Sequence, residues 1–230
     1  MLSWLLLISS LTACEAESTA SLADSSTDSG KMQAQSQSQR QQRSLNNTYQ
    51  AQFEAWTHKQ DPQLLSAYAE YFKPYLKHPP SLYVLTLNAH PFEQACEPYR
   101  FALPPKHYWH NLVSALKVVE QLQQQGLFAQ YQIVSVYRSA EANHCARGAK
   151  ASKHLSNHAV DFQPLNDAFE RYPNDDEMDR KMCDFWRRHG RALNLGLGLY
   201  GQQRYHIDTQ GYRTWGISYT SASSPCLKSS

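Results

Sequence analysis

Residues 152–162 read Ser-Lys-His-Leu-Ser-Asn-His-Ala-Val-Asp-Phe, which places His154 and Asp161 seven residues apart with mostly small or polar residues between them. Much later, residues 204–208 read Arg-Tyr-His-Ile-Asp and supply His206. Two histidines and one aspartate are a natural ligand set for catalytic zinc, because three protein ligands leave one coordination position for water. A histidine–aspartate pair alone is weak evidence, since the chain has ten histidines and such a pair is more often a surface hydrogen bond or a polar contact in the core.

Two further motifs flank this stretch in a fixed order. Upstream stands Ser135-Val136-Tyr137-Arg138-Ser139, with Asn143 four residues later. Downstream, Gly198-Leu199-Tyr200 is followed by Tyr205-His206-Ile207-Asp208-Thr209 and then Arg213-Thr214-Trp215-Gly216. With the Ser152, His154, Ala159 and Asp161 pattern, these motifs resemble the zinc D-Ala-D-Ala carboxypeptidase and murein endopeptidase family, which is related to the zinc-binding hedgehog domain. The resemblance covers about residues 100–217.

The resemblance implies a fold, a metal and a set of site residues. The fold would be α+β, with a small antiparallel sheet and flanking helices, hedgehog/D-Ala-D-Ala peptidase-like. Zinc would be the cofactor, held by His154, Asp161 and His206. Arg138 would bind a substrate carboxylate or stabilise the oxyanion, and a structural ion pair is the alternative for this residue. Ser152 and Tyr137 would contribute to substrate binding.

Two positions depart from the family pattern. Asn157 replaces a glycine of the signature, and asparagine is the least costly replacement if the backbone there is left-handed. Relatives place a Glu three residues, or a His two residues, before the last ligand, where this chain has Gln203 and Arg204. Neither residue can act as a base. Asp208 shares a strand face with His206, so it is either the catalytic base or a partner that orients a ligand histidine.

The first 48 residues predict export and a membrane anchor. Residues 1–13 contain an apolar run, Leu5-Leu6-Leu7-Ile8, carry no charge and end in Leu11-Thr12-Ala13 before Cys14, which is typical of a lipoprotein signal peptide. This pattern predicts lipids on Cys14; an ordinary signal peptide with a chance cysteine is the alternative. Residues 14–48 are rich in Ser, Gln, Ala and Thr and predict a flexible linker. The protein would then be periplasmic and anchored to a bacterial membrane, with the outer membrane favoured.

The remaining residues, 49–230, predict one zinc peptidase domain. Their four cysteines, Cys96, Cys145, Cys183 and Cys226, predict two disulfides in an exported protein, with three pairings open. No two lie close enough for a Cys-x-x-Cys zinc knuckle.

Local patterns predict the helices and strands of this domain. Aromatic spacing predicts one or two helices in residues 49–77, and an apolar run predicts a strand at 82–87. An amphipathic helix should follow Pro104-Pro105 with Leu112, Leu116, Val119 and Leu122 on one face, and Gly126 suits its end. Residues 131–137 predict a strand, and residues 175–195 a helix with Met182, Phe185 and Trp186 facing inward. A further strand should run through His206. Helices mixed with a few short strands indicate an α+β domain.

The sequence thus predicts a zinc-dependent hydrolase of peptidoglycan stem peptides or cross-links. Its partners would be peptidoglycan and, through Cys14, a membrane, and it would be a monomer. The net charge of +2 gives no support for nucleic-acid binding. The main alternative is a catalytically inactive zinc-bearing binding module, kept open by Gln203 and Arg204. A third possibility is an anchored structural lipoprotein without metal.

Overall fold

A five-stranded sheet lies at the centre of the structure, a computed structural model that describes residues 49–228. The predictions for residues 1–13, Cys14 and the linker 14–48 lie outside the described residues. The strand order is β1-β2-β4-β3-β5, with β3 and β5 parallel and every other pair antiparallel. The predicted α+β class with a small, mostly antiparallel sheet is therefore confirmed. The strands are β1 (Gln130–Ser135), β2 (Ala159–Leu165), β3 (Gly196–Leu199), β4 (Tyr205–Asp208) and β5 (Arg213–Trp215).

Six α-helices are found within residues 49–228, and two of them cover the sheet. They are α1 (Gln50–Thr57), α2 (Pro62–Tyr71), α3 (Leu82–Thr86), α4 (Asn111–Gln124), α5 (Ala140–Cys145) and α6 (Asp175–His189). The predicted inward faces of α4 and α6 are buried, and Gly126 adopts the positive φ of 73° that suits the end of α4. Helix α6 ends at His189, six residues before the predicted end. None of the described helices has the length and hydropathy needed to cross a bilayer.

The predicted strand at residues 82–87 is wrong, because this segment forms helix α3. The Ser81 hydroxyl accepts a hydrogen bond from the Val84 amide at 3.4 Å and begins the helix. The Thr86 hydroxyl donates to the Leu82 carbonyl oxygen at 2.8 Å. Short apolar runs do not distinguish a strand from a buried helix segment by periodicity, and here the capping serine is the local signal that the apolar pattern hides.

The aromatic stretch at residues 49–77 forms two helices, as predicted, but only the second enters the main core. Tyr68 and Phe72 are fully buried there beside Trp109. The rings on α1 instead join a smaller apolar cluster with Tyr83 and Phe101. The N-terminal helix therefore packs against the domain without contributing a buried residue of its own.

Two disulfides are present, which confirms that all four cysteines of the domain are paired. Cys96 bonds to Cys145 and Cys183 bonds to Cys226. The second bridge is buried in the core and joins α6 to a C-terminal 3₁₀ helix, Pro225–Leu227. It closes the segment that contains β3, β4 and β5.

Candidate metal centre

Strand register places Asp161 and His206 side by side. Asp161 on β2 lies directly opposite His206 on β4, and opposed residues of an antiparallel pair project to the same face about 5 Å apart. On the other side of β4, Gly198 lies opposite His206, and a Cβ at Gly198 would lie 2.6 Å from the Trp215 ring. The indole therefore packs over the strand at a glycine and comes within 5.1 Å of the His206 ring.

His154 reaches this face from a short 3₁₀ helix, Lys153–Ser156. The Ser152 hydroxyl accepts from the His154 amide at 3.4 Å at the start of that helix. Asn157 ends it in the left-handed conformation, with φ 57° and ψ 31°, which confirms the expectation for the residue that replaces the family's glycine. The chain then reverses directly into β2, and this turn brings His154 back beside Asp161.

The three side chains form a buried triangle of donor atoms. His154 Nε2 lies 3.1 Å from Asp161 Oδ1 and 3.2 Å from His206 Nδ1, and His206 Nδ1 lies 2.8 Å from Asp161 Oδ1. Tetrahedral zinc, with bonds of about 2.0–2.1 Å, separates its ligand atoms by roughly 3.3 Å. The spacing and the donor types therefore fit a zinc ion that touches all three atoms, and these residues form a candidate metal site.

The outer hydrogen bonds of the two histidines fix which nitrogen faces the triangle. His154 Nδ1 contacts the Val136 carbonyl oxygen, which can only accept, so this nitrogen carries the hydrogen and Nε2 is left bare. His206 Nε2 lies 3.2 Å from Asp208 Oδ2, so it donates there and leaves Nδ1 bare. Three acceptors at such short distances repel one another unless a cation lies between them. The triangle thus requires a metal ion or a proton.

The outer oxygen of Asp161 is held by two further side chains. Arg138 Nη2 forms an ion pair with Asp161 Oδ2, and the same arginine donates from Nε to the Ser135 hydroxyl at 3.0 Å. His90 Nε2 lies 3.3 Å from Asp161 Oδ2. Arg138 is buried, so the geometry favours the ion-pair interpretation of its Asp161-facing nitrogen. His90 was not predicted as a site residue, because no local motif in the sequence marks it.

The electrostatics favour the protonation states that a metal requires at two of the three ligands, His154 and Asp161. Burial and the nearby Arg138 charge together lower the pKa of His154 to about 4, so this imidazole is neutral at pH 7. Burial alone would raise the pKa of Asp161, but the positive charge of Arg138 and the carboxylate's hydrogen-bonding contacts with His154 and His206 hold it well below its usual range. Burial opposes protonation of His206 as well, yet hydrogen bonds to Asp161 and Asp208 raise its pKa. A raised pKa favours the protonated form, so zinc would have to displace a proton from this histidine.

Asp208 lies behind His206 rather than beside the triangle. Its carboxylate is fully buried, meets the outer nitrogen of His206 and accepts two hydrogen bonds from Arg213, at 3.0 and 2.6 Å. Burial raises its pKa, but His206 and Arg213 outweigh this and lower it to about 2. The His206 ring therefore separates Asp208 from the donor atoms. Of the two roles predicted for Asp208, this geometry favours orientation of the ligand over catalysis as a base.

A cavity of about 870 Å³ opens over the triangle, a volume ordinary for a small-molecule site. Arg138 and Ser152 line it, as predicted for substrate-binding residues, together with His90, Tyr200 and Trp215. The Tyr200 hydroxyl accepts from the Trp215 indole at 3.1 Å, so these two rings form one wall.

Tyr137 departs from its predicted place in this site. It is half-buried and lies near Tyr108 and Glu141, outside the cavity lining. Consecutive residues of an extended chain project to opposite sides, so the orientation that sends Arg138 to Asp161 turns Tyr137 away.

Fold and site together define an α+β protein with a buried two-histidine, one-aspartate centre of the kind found in metallohydrolases. A protein-family model described as Peptidase M15 matches residues 86–180. This match confirms the resemblance predicted from the motifs: residues 86–180 are similar to the peptidase M15 family, a family of metallopeptidases. The matched segment includes His154 and Asp161. His206 lies beyond this segment and is placed in the site by the pairing of β4 with β2. Searches of curated proteins and of solved structures found no match.

Proposed function

We propose that the protein is a zinc-dependent peptidase that hydrolyses peptide bonds of peptidoglycan, in the stem peptide or in a cross-link. The observation that carries this proposal is the triangle of three bare acceptor atoms at the floor of an open cavity. His154, Asp161 and His206 would hold the zinc. When bound, zinc polarises a carbonyl group and lowers the pKa of water toward about 7.

The other residues of the site hold the ligands and the substrate. Val136 and Asp208 keep the two imidazoles in the tautomers that metal binding needs. Arg138 fixes Asp161 and lines the cavity, where its positive charge would stabilise negative charge that develops on the scissile carbonyl oxygen. Tyr200 and Trp215 form an apolar wall that would pack against the peptide.

The choice of peptidoglycan rests on two arguments. The residues matched to the peptidase family carry the motifs of relatives that act on D-Ala-D-Ala peptides, and residues 1–14 predict export and a lipid anchor. Two disulfides are in keeping with an oxidising compartment. A periplasmic, membrane-anchored peptidase would meet the cell wall as its principal polymer.

An inactive zinc-bearing binding module is the second candidate. Its support is the pair of residues that replace the base of relatives: Gln203 is buried and hydrogen-bonded to Tyr172 and Asp175, and Arg204 cannot accept a proton. Among the described residues, Glu93 and Asp161 are the only two that contribute carboxylates to the cavity lining. A binding module would retain zinc and bind the wall without cutting it.

Digestion of purified peptidoglycan separates these two functions. We expect the zinc-loaded protein to release soluble peptides, detected by chromatography and mass spectrometry, and we expect a chelator to stop the release. A chain that sediments with peptidoglycan, holds zinc and releases nothing would instead be a binding module. A chain that takes up no zinc would refute both proposals.

The variant Asp208→Asn tests the orienting role of this carboxylate. An amide still contacts His206 but lacks the charge that favours the bare Nδ1, so we expect zinc affinity to fall by about 10–100-fold, with activity restored by excess zinc. Activity and zinc titration would be measured together. As a control, Asp179→Asn removes a carboxylate that accepts from the Tyr205 hydroxyl at 2.6 Å. Tyr205 projects to the face of β4 opposite His206, so this variant should leave zinc affinity unchanged. A loss of about 10²–10⁴-fold in rate with normal zinc content would make Asp208 the base instead.

The variant Cys14→Ser tests the proposed anchor. Two or three acyl chains hold a protein on a membrane stably, so removing their attachment site should move the protein from the membrane fraction into the soluble periplasmic fraction. Immunoblots of the two fractions would measure this change. Equal membrane binding of the variant would exclude Cys14 as the anchor.

A further inference from the structure

The cavity over the metal site is rich in positive charge. Its lining contains five cationic residues, which are Arg138, Arg147, Lys153, Arg204 and Arg213. Three of them are paired with carboxylates: Arg138 with Asp161, Arg147 with Glu93 and Arg213 with Asp208. Within residues 49–228, Lys153 and Arg204 have no such ion pair. The cavity therefore holds cationic charge that the described part of the protein does not neutralise.

Arg204 differs from Lys153 because part of its charged group is buried. Its Nε is shielded from solvent and has no hydrogen-bond partner among the described residues. A buried donor without a partner costs about 1–3 kcal/mol, and more when the group is charged. An arginine cannot avoid this cost by losing its proton. An anionic ligand in the cavity, which Arg204 lines, would offset the cost by pairing with the charge of the guanidinium.

The position of Arg204 ties it to the reacting end of the cavity. It directly precedes β4, two residues before His206, and side chains two apart in an extended segment share a face. Tyr205, between them, points the other way and donates to Asp179 of α6. Two residues along a strand span about 6.6 Å, and one residue of an extended substrate spans roughly 3.3–3.6 Å. The length of the arginine side chain makes up the difference between the spacing along the strand and the spacing along the substrate.

We propose that Arg204 binds the free α-carboxylate of the residue on the C-terminal side of the scissile bond. This inference rests on the proposed peptidase function and makes the substrate a peptide whose leaving residue bears a free carboxylate. The planar guanidinium matches a carboxylate with two parallel hydrogen bonds. The residue that departs from the family's base thereby becomes a specificity determinant, and it positions the substrate one residue from the metal.

A binding experiment on the full-length protein prepared without metal tests the proposal, because no turnover then consumes the probe. The two probes are acetyl-D-alanyl-D-alanine with a free carboxylate and the same peptide as its C-terminal amide. We expect the wild-type chain to bind the acid at least about 10-fold more tightly than the amide, in line with a charge-assisted hydrogen bond. Arg204→Gln should remove this preference and leave the affinity for the amide unchanged. Arg204→Lys keeps the positive charge but loses the planar guanidinium with its two parallel donors, so it should retain part of the preference for the acid.

The matched control is Arg147→Gln, in the same cavity. Arg147 is 87% exposed and already paired with Glu93, so its loss should not alter the preference for the acid. The proposal is overturned if the wild type binds both probes equally, or if a folded Arg204→Gln variant keeps the preference. Binding to the metal-free chain is independent of hydrolysis. If the protein prefers the acid through Arg204 but cuts no peptidoglycan, the proposed enzymatic function is refuted and the proposed carboxylate site still stands.

Discussion

The variant His154→Ala is expected to lose its zinc and, with it, all measurable peptidase activity. Substitutions behind a metal ligand cost about 10–100-fold in affinity, and removal of a ligand should cost more than about 100-fold. His154 is only 1% exposed, and its Nε2 is one corner of the triangle. Its removal therefore takes away one of the three ligand atoms at a buried position. At zinc concentrations of 100 times the dissociation constant, the wild type gains about 2.7 kcal/mol of stability, which the variant should not gain.

Elemental analysis and thermal unfolding with and without zinc would measure both effects. A gain of about 2.7 kcal/mol corresponds to a rise in melting temperature of roughly 5–11 °C for a domain of this size. His158→Ala is the matched control, because this half-buried histidine four residues away contacts the Ser156 hydroxyl at 2.9 Å and lies outside the triangle. One zinc per chain in a folded His154→Ala variant would remove His154 from the site.

Loss of the Cys183–Cys226 disulfide is expected to cost the folded state about 2–5 kcal/mol. The bridge joins residues 43 positions apart, and an open chain of that length gains considerable entropy on unfolding. Both sulfur atoms lie in the core, with residue exposures of 2% and 3%, so the double variant Cys183→Ala/Cys226→Ala also leaves a buried cavity. Urea unfolding would measure the change in the free energy of unfolding.

The second disulfide supplies the control for this prediction. Cys96 and Cys145 are 49 positions apart, so the entropic contribution of their bridge is nearly the same. Both residues are only partly buried, so Cys96→Ala/Cys145→Ala should be the less destabilising double variant. Equal losses in the two variants would show that core packing around Cys183 and Cys226 adds nothing, and a loss below about 1 kcal/mol would contradict the entropic argument.

The metal centre was predictable from the sequence where local geometry determines it. Asn157 had to tolerate a left-handed backbone, and its φ of 57° confirms this. A strand through His206 was predicted, whereas strand β2 and its pairing with β4 were not. Asp208 marks the limit of such reasoning: a two-residue offset fixes the face of a strand, but the contact with the outer nitrogen of His206 depends on ring rotation.

Two of the partners behind the ligands, His90 and the Val136 carbonyl, were not predictable, because they come from distant parts of the chain. His90 lies 71 positions before Asp161 and is delivered by a short bridge between Asn88 and Ser135 at the edge of β1. The Val136 contact involves a backbone carbonyl, which no side-chain motif records. The prediction of a strand at residues 82–87 was wrong for a related reason. Capping and packing determine the secondary structure there, and they outweigh a short apolar pattern.

The sheet order β1-β2-β4-β3-β5 has a consequence for the time at which the centre is completed. The chain emerges from the ribosome with its N-terminus first. One edge of β2, the strand that carries Asp161, therefore has no pairing partner until β4 is made and inserts between β2 and β3. His206 follows His154 by 52 positions, and a nascent chain that ends before β4 presents at most two of the three ligands. The pairing of β4 with β2 therefore also completes the ligand set, and binding of a metal by all three ligands has to follow that pairing.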